Sequence, residues 1–339
     1  MIRIAIDAMG GDNAPGEIVR GAVDAAKRME QVSLILVGDQ EKIERELQKL
    51  SYPKDRIRIQ HASEVIGTEE HPVEAVRHKK DSSLVVGMNI VRKGEADAFA
   101  SAGNSGAVVV GAQGIVGRIR GVQRPPFATM MPTAKGRTLL LDAGANIDSR
   151  PEHLVQWARL GTIYMENIAG IRNPSVGIVN IGAEEEKGNS LVRETFPLLK
   201  ESAERGEIRF VGSCEARDIP AGGVDVVVCD GFSGNLIIKM YEGTARVLMG
   251  ELKSCLTSGF LTKIGAALIL PSLKGTLKKF DANQYGAAPI LGLKALVLKM
   301  HGSAKAVEVE RAVEQTVQFY QEDIASKITE AMQEHKAAE

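Results

Sequence analysis

The sequence contains few aromatic residues, and its opposite charges nearly cancel. Phe, Trp and Tyr together account for 4% of its 339 residues, and the formal net charge is −1. Proteins that bind single-stranded nucleic acid need aromatic rings on which bases stack, and binding to any nucleic acid needs a basic surface. The composition therefore predicts no nucleic-acid partner.

Cysteine is also scarce, and no long apolar run is present. The three cysteines, Cys214, Cys229 and Cys255, are odd in number and show no CxxC spacing, which favours free thiols in a reducing compartment over disulfides or a zinc site. No stretch reaches the ~20 apolar residues that a membrane-spanning helix requires. The sequence opens directly on a predicted strand and not on a charged and then apolar leader. We therefore expect a cytoplasmic location.

Several catalytic motifs are missing as well. The sequence has no GxxxxGK[ST] phosphate loop, no GxGxxG after the first strand, no GxSxG nucleophile elbow and no HExxH metal motif. The six histidines show no spacing typical of metal ligands. We therefore expect neither a metal nor another cofactor.

Short apolar runs alternate with helical patterns along most of the chain. Strands separated by helices form right-handed βαβ units and a mainly parallel sheet. No glycine-rich linker divides the sequence. These patterns predict an α/β fold with a single domain over residues 1–339, which contains an amphipathic helical insertion at about residues 250–282.

Four of the apolar runs end in small and polar residues. They are IRIAIDAMGGD (2–12), ADAFASAGNSGA (96–107), TLLLDAGAN (138–146) and VDVVVCDGFSGNLIIK (224–239). Ligands of open α/β sheets bind at the carboxyl ends of the strands, where glycines let the backbone approach an anion and polar groups donate hydrogen bonds. On one parallel sheet, the four loops would converge on one crevice. Each loop also fits an ordinary strand–helix turn in which Asn, Asp or Ser caps the helix.

A crevice of this composition suits a phosphate or carboxylate ligand. Inorganic phosphate is itself a nucleophile, so an enzyme that uses it needs only to hold it in line and to stabilise the oxyanion that forms on the acceptor carbonyl. Ser101, Ser105 and Ser233 lie in glycine loops without a histidine nearby in the sequence. We therefore expect these hydroxyls to donate hydrogen bonds and not to attack the substrate.

Six segments in this order resemble one protein family. They are IAIDAMGGD, SAGNSGA, LLLDAGAN with PEHLVQ, KGN (187–189), DGFSGN and HGS (301–303). With them, the chain resembles the bacterial phosphate acyltransferases of phospholipid synthesis, the acyl-acyl carrier protein:phosphate transacylases (PlsX family), essentially from end to end. The resemblance implies a three-layer α/β/α sandwich like that of isocitrate and isopropylmalate dehydrogenases. It also implies transfer of a long-chain fatty acyl group from acyl carrier protein to inorganic phosphate.

The resemblance further implies partners and a location. The acyl phosphate product would pass to a downstream glycerol-3-phosphate acyltransferase. The protein would be a homodimer and would lie peripherally on the inner face of the cell membrane, held to its anionic surface by an amphipathic helix.

Carried onto the matching positions, the resemblance implies roles for individual residues. The implied catalytic residues are Lys187, Asn235, Asp230 and His301, and the implied phosphate-binding residues are Ser101, Gly103, Asn104, Ser105, Asn146, Ser233, Gly234 and Lys239. Lys187 would neutralise phosphate or oxyanion charge, Asp230 would orient Lys187 or accept a phosphate proton, and His301 would protonate the leaving thiolate. Each residue has a structural alternative, which is a solvated face for the lysines, a turn or cap for Asn and Asp, and a structural role for His301.

One segment is basic and apolar at once. Leu252, Leu256, Phe260, Ile264 and Leu268 recur at four-residue spacing, and no acidic residue lies between Glu251 and Asp281. The stripe predicts one amphipathic helix that ends at Pro271. It fits a core helix or a dimer contact, and equally an interfacial helix on anionic lipid. The implied membrane-contacting residues are Leu256, Phe260, Leu261, Ile264 and Leu268.

Other functions remain open at the level of sequence. A short-chain phosphotransacetylase that uses acyl-CoA would share the chemistry but would not need the basic apolar helix. A non-catalytic, membrane-bound scaffold would bind acyl carrier protein without turnover. A decarboxylating dehydrogenase of the same fold would need three carboxylates for a metal ion and an adenine-binding segment, and we identify neither in the sequence.

Overall fold

The computed structural model describes residues 1–279 and 286–338 of the chain. These residues form two compact units by their contacts. Unit 1 comprises Met1–Thr129, Ile163–Arg172 and Asn283–Glu339, and unit 2 comprises Met130–Thr162 and Asn173–Ala282. The single domain over residues 1–339 stays a prediction.

Strands and helices alternate through most of both units. The strands are β1 Ile2–Asp7, β2 Val32–Gly38, β3 Ile57–His61, β4 Ala98–Ser101, β5 Thr129–Thr133, β6 Gly136–Leu141, β7 Ser175–Asn180, β8 Arg209–Glu215, β9 Val226–Val228, β10 Ala287–Pro289 and β11 Leu296–Met300. The α-helices are α1 Gly16–Arg28, α2 Gln40–Leu47, α3 Pro72–His78, α4 Ser83–Arg92, α5 Ser105–Gly111, α6 Pro151–Asn167, α7 Ser190–Glu204, α8 Gly231–Thr257, α9 Phe260–Lys279, α10 Ala306–Gln321 and α11 Ile324–Ala338. A π-helix, Ala112–Val116, continues α5, and a 3-10 helix, Ala216–Ala221, follows β8.

Unit 1 is built on a six-stranded sheet in the order β10-β11-β4-β1-β2-β3. All neighbouring strands are parallel except β10 and β11. β1, β2 and β4 are short apolar runs that are almost completely buried, as is typical of parallel strands covered on both faces. One core includes Ile4, Ile6 and Leu34 together with apolar residues of α1 and α10. The parallel order brings the carboxyl ends of β1, β4 and β11 to the same edge.

Unit 2 is built on a five-stranded sheet in the order β5-β6-β9-β7-β8. The pairs β6–β9, β9–β7 and β7–β8 are parallel. The central strand β9 consists of three fully buried valines. Helix α6 carries the fully buried Trp157, and Gly161 lets the helix lie against the side chains of Val226 and Leu141. The carboxyl ends of β6, β9 and β7 therefore share an edge in this unit as well.

The α/β fold with mainly parallel strands is confirmed, but the strands form two sheets. The four predicted loops consequently do not follow one sheet. Those after β1 and β4 belong to unit 1, and those after β6 and β9 belong to unit 2. The prediction of a single sheet edge was wrong because strand pairing depends on contacts between distant segments, and local apolar runs carry no information about it.

Two long helical patterns are each divided in the structure. The region from Pro72 to Lys93 forms α3 and α4 with a turn between them. The C-terminal helix predicted from Ser303 onward forms α10 and α11, and Asp323 between them has a left-handed conformation with φ of 48°.

The predicted amphipathic helix is divided too. Helix α8 ends at Thr257, and α9 begins at Phe260, so the stripe is shared between two helices. Pro271 does not end α9, which continues to Lys279. Residues 280–282 of the predicted insertion lie outside the described residues. No helix within the described ranges combines the length and apolar character needed to cross a membrane.

Candidate functional site

A buried carboxylate organises the strand ends of unit 1. Asp7, the last residue of β1, is 2% exposed and accepts a 2.7 Å hydrogen bond from the hydroxyl of Ser101 at the end of β4. The Ser101 oxygen in turn accepts from the backbone N–H of Gly103 at 3.0 Å. Burial raises the pKa of Asp7, and hydrogen bonds from Ser83, Ser101 and the backbone act against this shift. The Ser101 hydroxyl is fully buried and already donates to Asp7, so direct phosphate binding by it stays a prediction.

Glycines allow the loops of unit 1 to touch. A Cβ on Gly10 would lie 2.5 Å from the Asp7 carboxylate and 2.7 Å from the nitrogen of Gly103. The backbone N–H of Asp12 donates to the carbonyl of Gly302 at 2.8 Å, which joins the loop after β1 to the loop after β11. The segments after β1, β4 and β11 therefore form one cluster, which we call the Asp7 cluster (residues 7–13, 101–106 and 299–304).

Asn104 in this cluster has a structural role. Its side-chain oxygen accepts from the N–H of Ala107 at 3.0 Å and so caps α5. Its amide nitrogen donates to three carbonyls of the loop at residues 67–70, at 3.0–3.2 Å. Ser105, the first residue of α5, is exposed, and its hydroxyl has no hydrogen-bond partner among the described residues. Of these two predicted phosphate ligands, only Ser105 presents an uncommitted donor.

His301 lies at the end of β11, in the same cluster. Its Nδ1 accepts from the backbone N–H of Ser303 at 3.2 Å and lies 2.9 Å from the Ser303 hydroxyl. Because a backbone N–H can only donate, this contact favours the tautomer of the neutral ring that accepts at Nδ1 and carries its proton on Nε2. The ring is exposed. The exposed Nε2–H can donate a hydrogen bond to a ligand. Proton transfer to a thiolate requires the doubly protonated ring, so the implied role of His301 as an acid stays a prediction.

A second buried carboxylate organises the strand ends of unit 2. Asp142, directly after β6, is 0% exposed. Its two oxygens accept from the backbone N–H groups of Gly144, Ala145 and Asn146 and from the Asn146 side chain, at 2.6–3.1 Å. The Asn146 amide, predicted to bind phosphate, is therefore buried and already donates to Asp142.

The loop after β9 packs against this turn. The N–H of Gly231 donates to the carbonyl of Asn146 at 2.8 Å, and a Cβ on Gly231 would lie 2.5 Å from the same oxygen. Asp230 caps α8, since its carboxylate accepts from both the N–H and the hydroxyl of Ser233 at 2.8 Å. A Cβ on Gly234 would overlap the backbone carbonyl of Asp142. Asp230, Ser233, Gly234 and Asn146 are thus brought together as predicted, largely through bonds to one another.

Two predicted residues on α8 are less committed. Asn235 is partly exposed, and its side chain lies beside Gly144, whose ideal Cβ position is 3.4–3.6 Å from it. Lys239 is exposed one turn further along the helix. Neither side chain forms a hydrogen bond with the described residues. Both side chains are therefore available to a ligand, and Asn235 lies beside the turn at residues 142–146.

Lys187 lies in the loop after β7, the strand next to β9. Its ammonium forms a 2.7 Å ion pair with Glu184, and this hydrogen bond raises the pKa of Lys187. Asp230 bonds to Ser233 and not to Lys187. Orientation of Lys187 therefore falls to Glu184, and the Asp230 carboxylate serves the helix cap. The lysine is half exposed, which leaves it accessible to an anion.

The comparisons with known proteins match almost the whole chain. The model of the family described as "Fatty acid synthesis protein" matches residues 2–327. A phosphate acyltransferase of Clostridium botulinum is 47% identical over 328 residues, which are 96% of this chain and 98% of that protein. The chain belongs to this family. The predicted membership and the predicted enzyme class, a phosphate acyltransferase, are thereby confirmed.

Solved structures outside the close relatives support the fold. A phosphotransacetylase from Streptococcus pyogenes superimposes with a TM-score of 0.62 over 94% of each chain at 18% sequence identity. A 4-hydroxythreonine-4-phosphate dehydrogenase from Klebsiella pneumoniae gives a TM-score of 0.51 over 95% of this chain and 98% of that chain at 12% identity. At such identities the likeness concerns the fold alone. It confirms the predicted α/β/α class shared by transacylases and dehydrogenases.

One residue of the Asp7 cluster, Lys299, was not identified from the sequence. Lys299 belongs to β11, and its ammonium lies in the Asp7 cluster. Burial lowers the pKa of Lys299 to about 8, while the carboxylates of Asp7 and Asp12 act to raise it. The sequence does contain a signal for this residue, because a single lysine interrupts the apolar strand LVLKM directly before the HGS segment. No group of three or more His, Cys, Asp or Glu side chains within the described residues is placed to hold a metal ion.

The predicted membrane-contacting residues form a solvent-facing surface. Phe260, Leu261 and Leu268 on α9 are 79–81% exposed, and Ile264 is 46% exposed. Leu256 lies on α8 and is partly buried. Large apolar side chains are rarely left exposed together on a monomer without a partner surface. We call Phe260, Leu261, Ile264 and Leu268 the α9 face.

Proposed function

We propose that this phosphate acyltransferase moves a long-chain fatty acyl group from acyl carrier protein to inorganic phosphate, and that the acyl phosphate serves phospholipid synthesis. Family membership supports the reaction type. The observation that carries the preference for a long chain is the α9 face. An enzyme for short, water-soluble acyl groups has no use for such a surface, whereas a long acyl chain partitions into lipid.

The geometry of α9 fits a lipid surface. At about 100° per residue, Phe260, Leu261, Ile264 and Leu268 fall within an arc of about 100°. Removing such side chains from water contributes about 1.5–3 kcal/mol each. Lys263 lies about 60° to one side of Phe260, where its ammonium would meet anionic headgroups and add about 1 kcal/mol. These terms suffice for reversible attachment to the inner, cytoplasmic face of the cell membrane.

The reaction follows from a phosphate held beside the thioester. A phosphate oxygen attacks the thioester carbonyl, the carbon–oxygen bond forms, and the carbon–sulfur bond breaks to release the carrier thiolate. Lys187 stabilises negative charge on phosphate or on the carbonyl oxygen, with Asn235 and Lys239 as further donors. In its doubly protonated form, the His301 ring gives its Nε2 proton to the thiolate, and the proton that the attacking hydrogen phosphate loses restores that form. Each role rests on the exposure and hydrogen-bond pattern described above.

A second apolar stripe supports a homodimer. Phe232, Leu236, Met240 and Val247 on α8 are 52–72% exposed and lie within an arc of about 80°. Gly243 and Gly250 share this arc, and neither would bring a Cβ within 4 Å of another atom. Small residues in an apolar stripe let a second helix approach closely. The stripe of a second copy is the complementary surface, and Met240→Glu should convert the dimer to a monomer in analytical ultracentrifugation.

One assay separates the proposed function from its rivals. The purified protein is given inorganic phosphate with palmitoyl carrier protein, palmitoyl-CoA or acetyl-CoA, and acyl phosphate is trapped as a hydroxamate. We expect the highest kcat/KM with palmitoyl carrier protein. Preference for acetyl-CoA would identify a short-chain phosphotransacetylase, and binding of the carrier without turnover would identify a scaffold.

The place of the reaction in lipid synthesis can be tested with the product. An acyl phosphate is a reactive mixed anhydride, so a downstream glycerol-3-phosphate acyltransferase is its natural consumer. Adding such an acyltransferase and glycerol 3-phosphate to the assay should yield acylated glycerol 3-phosphate from the carrier-bound chain. Failure of the coupled reaction, with acyl phosphate present, would refute this partner.

A further inference from the structure

Lys299 interrupts the apolar strand β11 at the edge where the loops of unit 1 meet. β11 runs parallel to β4, and Lys299 is the register partner of Ser101. Register partners of neighbouring strands direct their side chains to the same face of the sheet. The Lys299 side chain therefore leaves the sheet on the side of the Ser101 hydroxyl, within the Asp7 cluster.

The Lys299 ammonium is only partly satisfied by the protein. It donates to the carbonyl of Met300, at the end of β11, and at 3.5 Å to that of Ala102, after β4. Its third N–H has no partner among the described residues. No carboxylate of the described residues lies within 4.0 Å of it, the limit for an ion pair. A half-buried cation without a counter-ion is costly, and the cost is offset when an anion binds.

Few charged side chains near Lys299 could take the place of a bound anion. The carboxylates of Asp7 and Asp12 favour the charged form of Lys299 from the loop after β1. His301 follows in the same strand end. The neighbouring strand β10 and the helical segment 105–116 contain no ionisable side chain. Burial consequently dominates and lowers the pKa of Lys299 to about 8.

We propose that Lys299 is a phosphate-binding residue, and that its ammonium holds the inorganic phosphate dianion at the carboxyl ends of β4 and β11. This inference rests on the proposed function, which supplies phosphate as the acceptor. Two backbone carbonyls at this edge of the sheet accept from the nitrogen, and its remaining N–H is available to the dianion. Charge-assisted hydrogen bonds of this kind are the strongest that a lysine forms with an oxyanion.

The first test separates phosphate binding from chemistry. Lys299→Met should raise the KM for phosphate at least about tenfold, while kcat at saturating phosphate and the KM for the acyl donor change little. Lys299→Arg keeps the charge and should restore most of the loss. The matched control is Lys294→Met, which removes an exposed lysine from the loop before β11. An unchanged KM for phosphate, or a fall in kcat alone, would overturn the proposal.

The second test uses the wild-type enzyme and the charge-conserving Lys299→Arg, so it holds even if Lys299→Met fails to fold. Because Lys299 loses its proton as the pH rises through about 8, the KM of the wild-type enzyme for dianionic phosphate should increase above that pH. Bound phosphate stabilises the charged form of Lys299, so the pKa of Lys299 is higher in the enzyme–phosphate complex than in the free enzyme. Lys299→Arg should abolish the increase. A KM for the dianion that is constant between about pH 7 and about 10 would contradict the role.

Failure of the inference and failure of the proposed function are distinguishable. If the wild-type protein forms acyl phosphate and Lys299→Met binds phosphate normally, only the inference fails. If the wild-type protein forms no acyl phosphate, the proposed function fails, and Lys299 is tested by binding alone. Inorganic phosphate should then raise the melting temperature of the wild-type protein and of Lys294→Met, but not that of Lys299→Met. An equal increase in all three would overturn the proposal.

Discussion

Replacing Gly231 by alanine should destabilise unit 2, because two loops of the candidate site meet at this glycine. A Cβ at this position would lie 2.5 Å from the carbonyl oxygen of Asn146 and 2.8 Å and 3.0 Å from its carbon and nitrogen. Ordinary contact begins at 3.4 Å, so the backbone of one loop would have to move by about 0.9 Å. All three neighbours are backbone atoms and cannot rotate away. Overpacking of this kind costs about 1–3 kcal/mol.

Urea unfolding followed by tryptophan fluorescence measures this effect directly. The protein contains one tryptophan, Trp157, which is fully buried in unit 2 and therefore reports the unfolding of that unit. Gly231→Ala should lower the unfolding midpoint at an unchanged m-value. The matched control is Gly265→Ala on α9, where a new Cβ would have no neighbour within 4 Å and alanine favours the helix. If Gly231→Ala unfolds at the midpoint of the control, the described contact between the loops is wrong.

Three further predictions concern single side chains. Lys187→Ala should lower kcat/KM at least about tenfold and leave the unfolding midpoint unchanged, because it removes a charge-stabilising group from an exposed loop; unchanged kinetics would reject its role. Burial raises the pKa of the Cys214 thiol to about 11, whereas Cys255 is exposed. A thiol reagent should therefore label Cys255 rapidly and the other two thiols only after unfolding. The depressed pKa of Lys299 means that the unfolded chain binds more protons between pH about 8 and 10.5, so stability should rise with pH in this window and Lys299→Met should lose this rise.

Much of the fold could be predicted because apolar runs and turn residues are local signals. The runs at Ile2–Asp7, Val32–Gly38 and Ser175–Asn180 coincide with strands to within one or two residues. Their division into two sheets could not be predicted, since β6 pairs with β9 across more than eighty residues. A helical pattern likewise gives no warning of a break such as that at Asp323, where a non-glycine residue adopts positive φ.

The candidate site shows the same limit at the level of side chains. Polar residues after strands gather within each unit and not at the one crevice expected, and several of them are committed to the fold. Asn104 and Asp230 use their side chains to cap helices, and Asn146 donates to Asp142. The polar side chains that remain available to a ligand are those that neither cap a helix nor bond to a neighbouring loop. Lys299 was missed because a lysine in a strand looks like a surface residue until its burial is known.

Charged substitutions on the α9 face should release the protein from membranes without loss of fold. Phe260→Glu with Ile264→Glu places two carboxylates in the apolar arc, where they face the lipid and repel anionic headgroups. The matched control, Thr262→Glu with Ile269→Glu, adds the same charge about 180–200° from Phe260, on the opposite side of α9. In sedimentation with anionic vesicles, the first pair should remain in the supernatant and the control should sediment. Both should keep wild-type turnover on a soluble acyl donor, since α9 contributes no residue to either loop cluster. If both pairs sediment equally, lipid does not contact this face, and the exposed side chains belong to a protein interface.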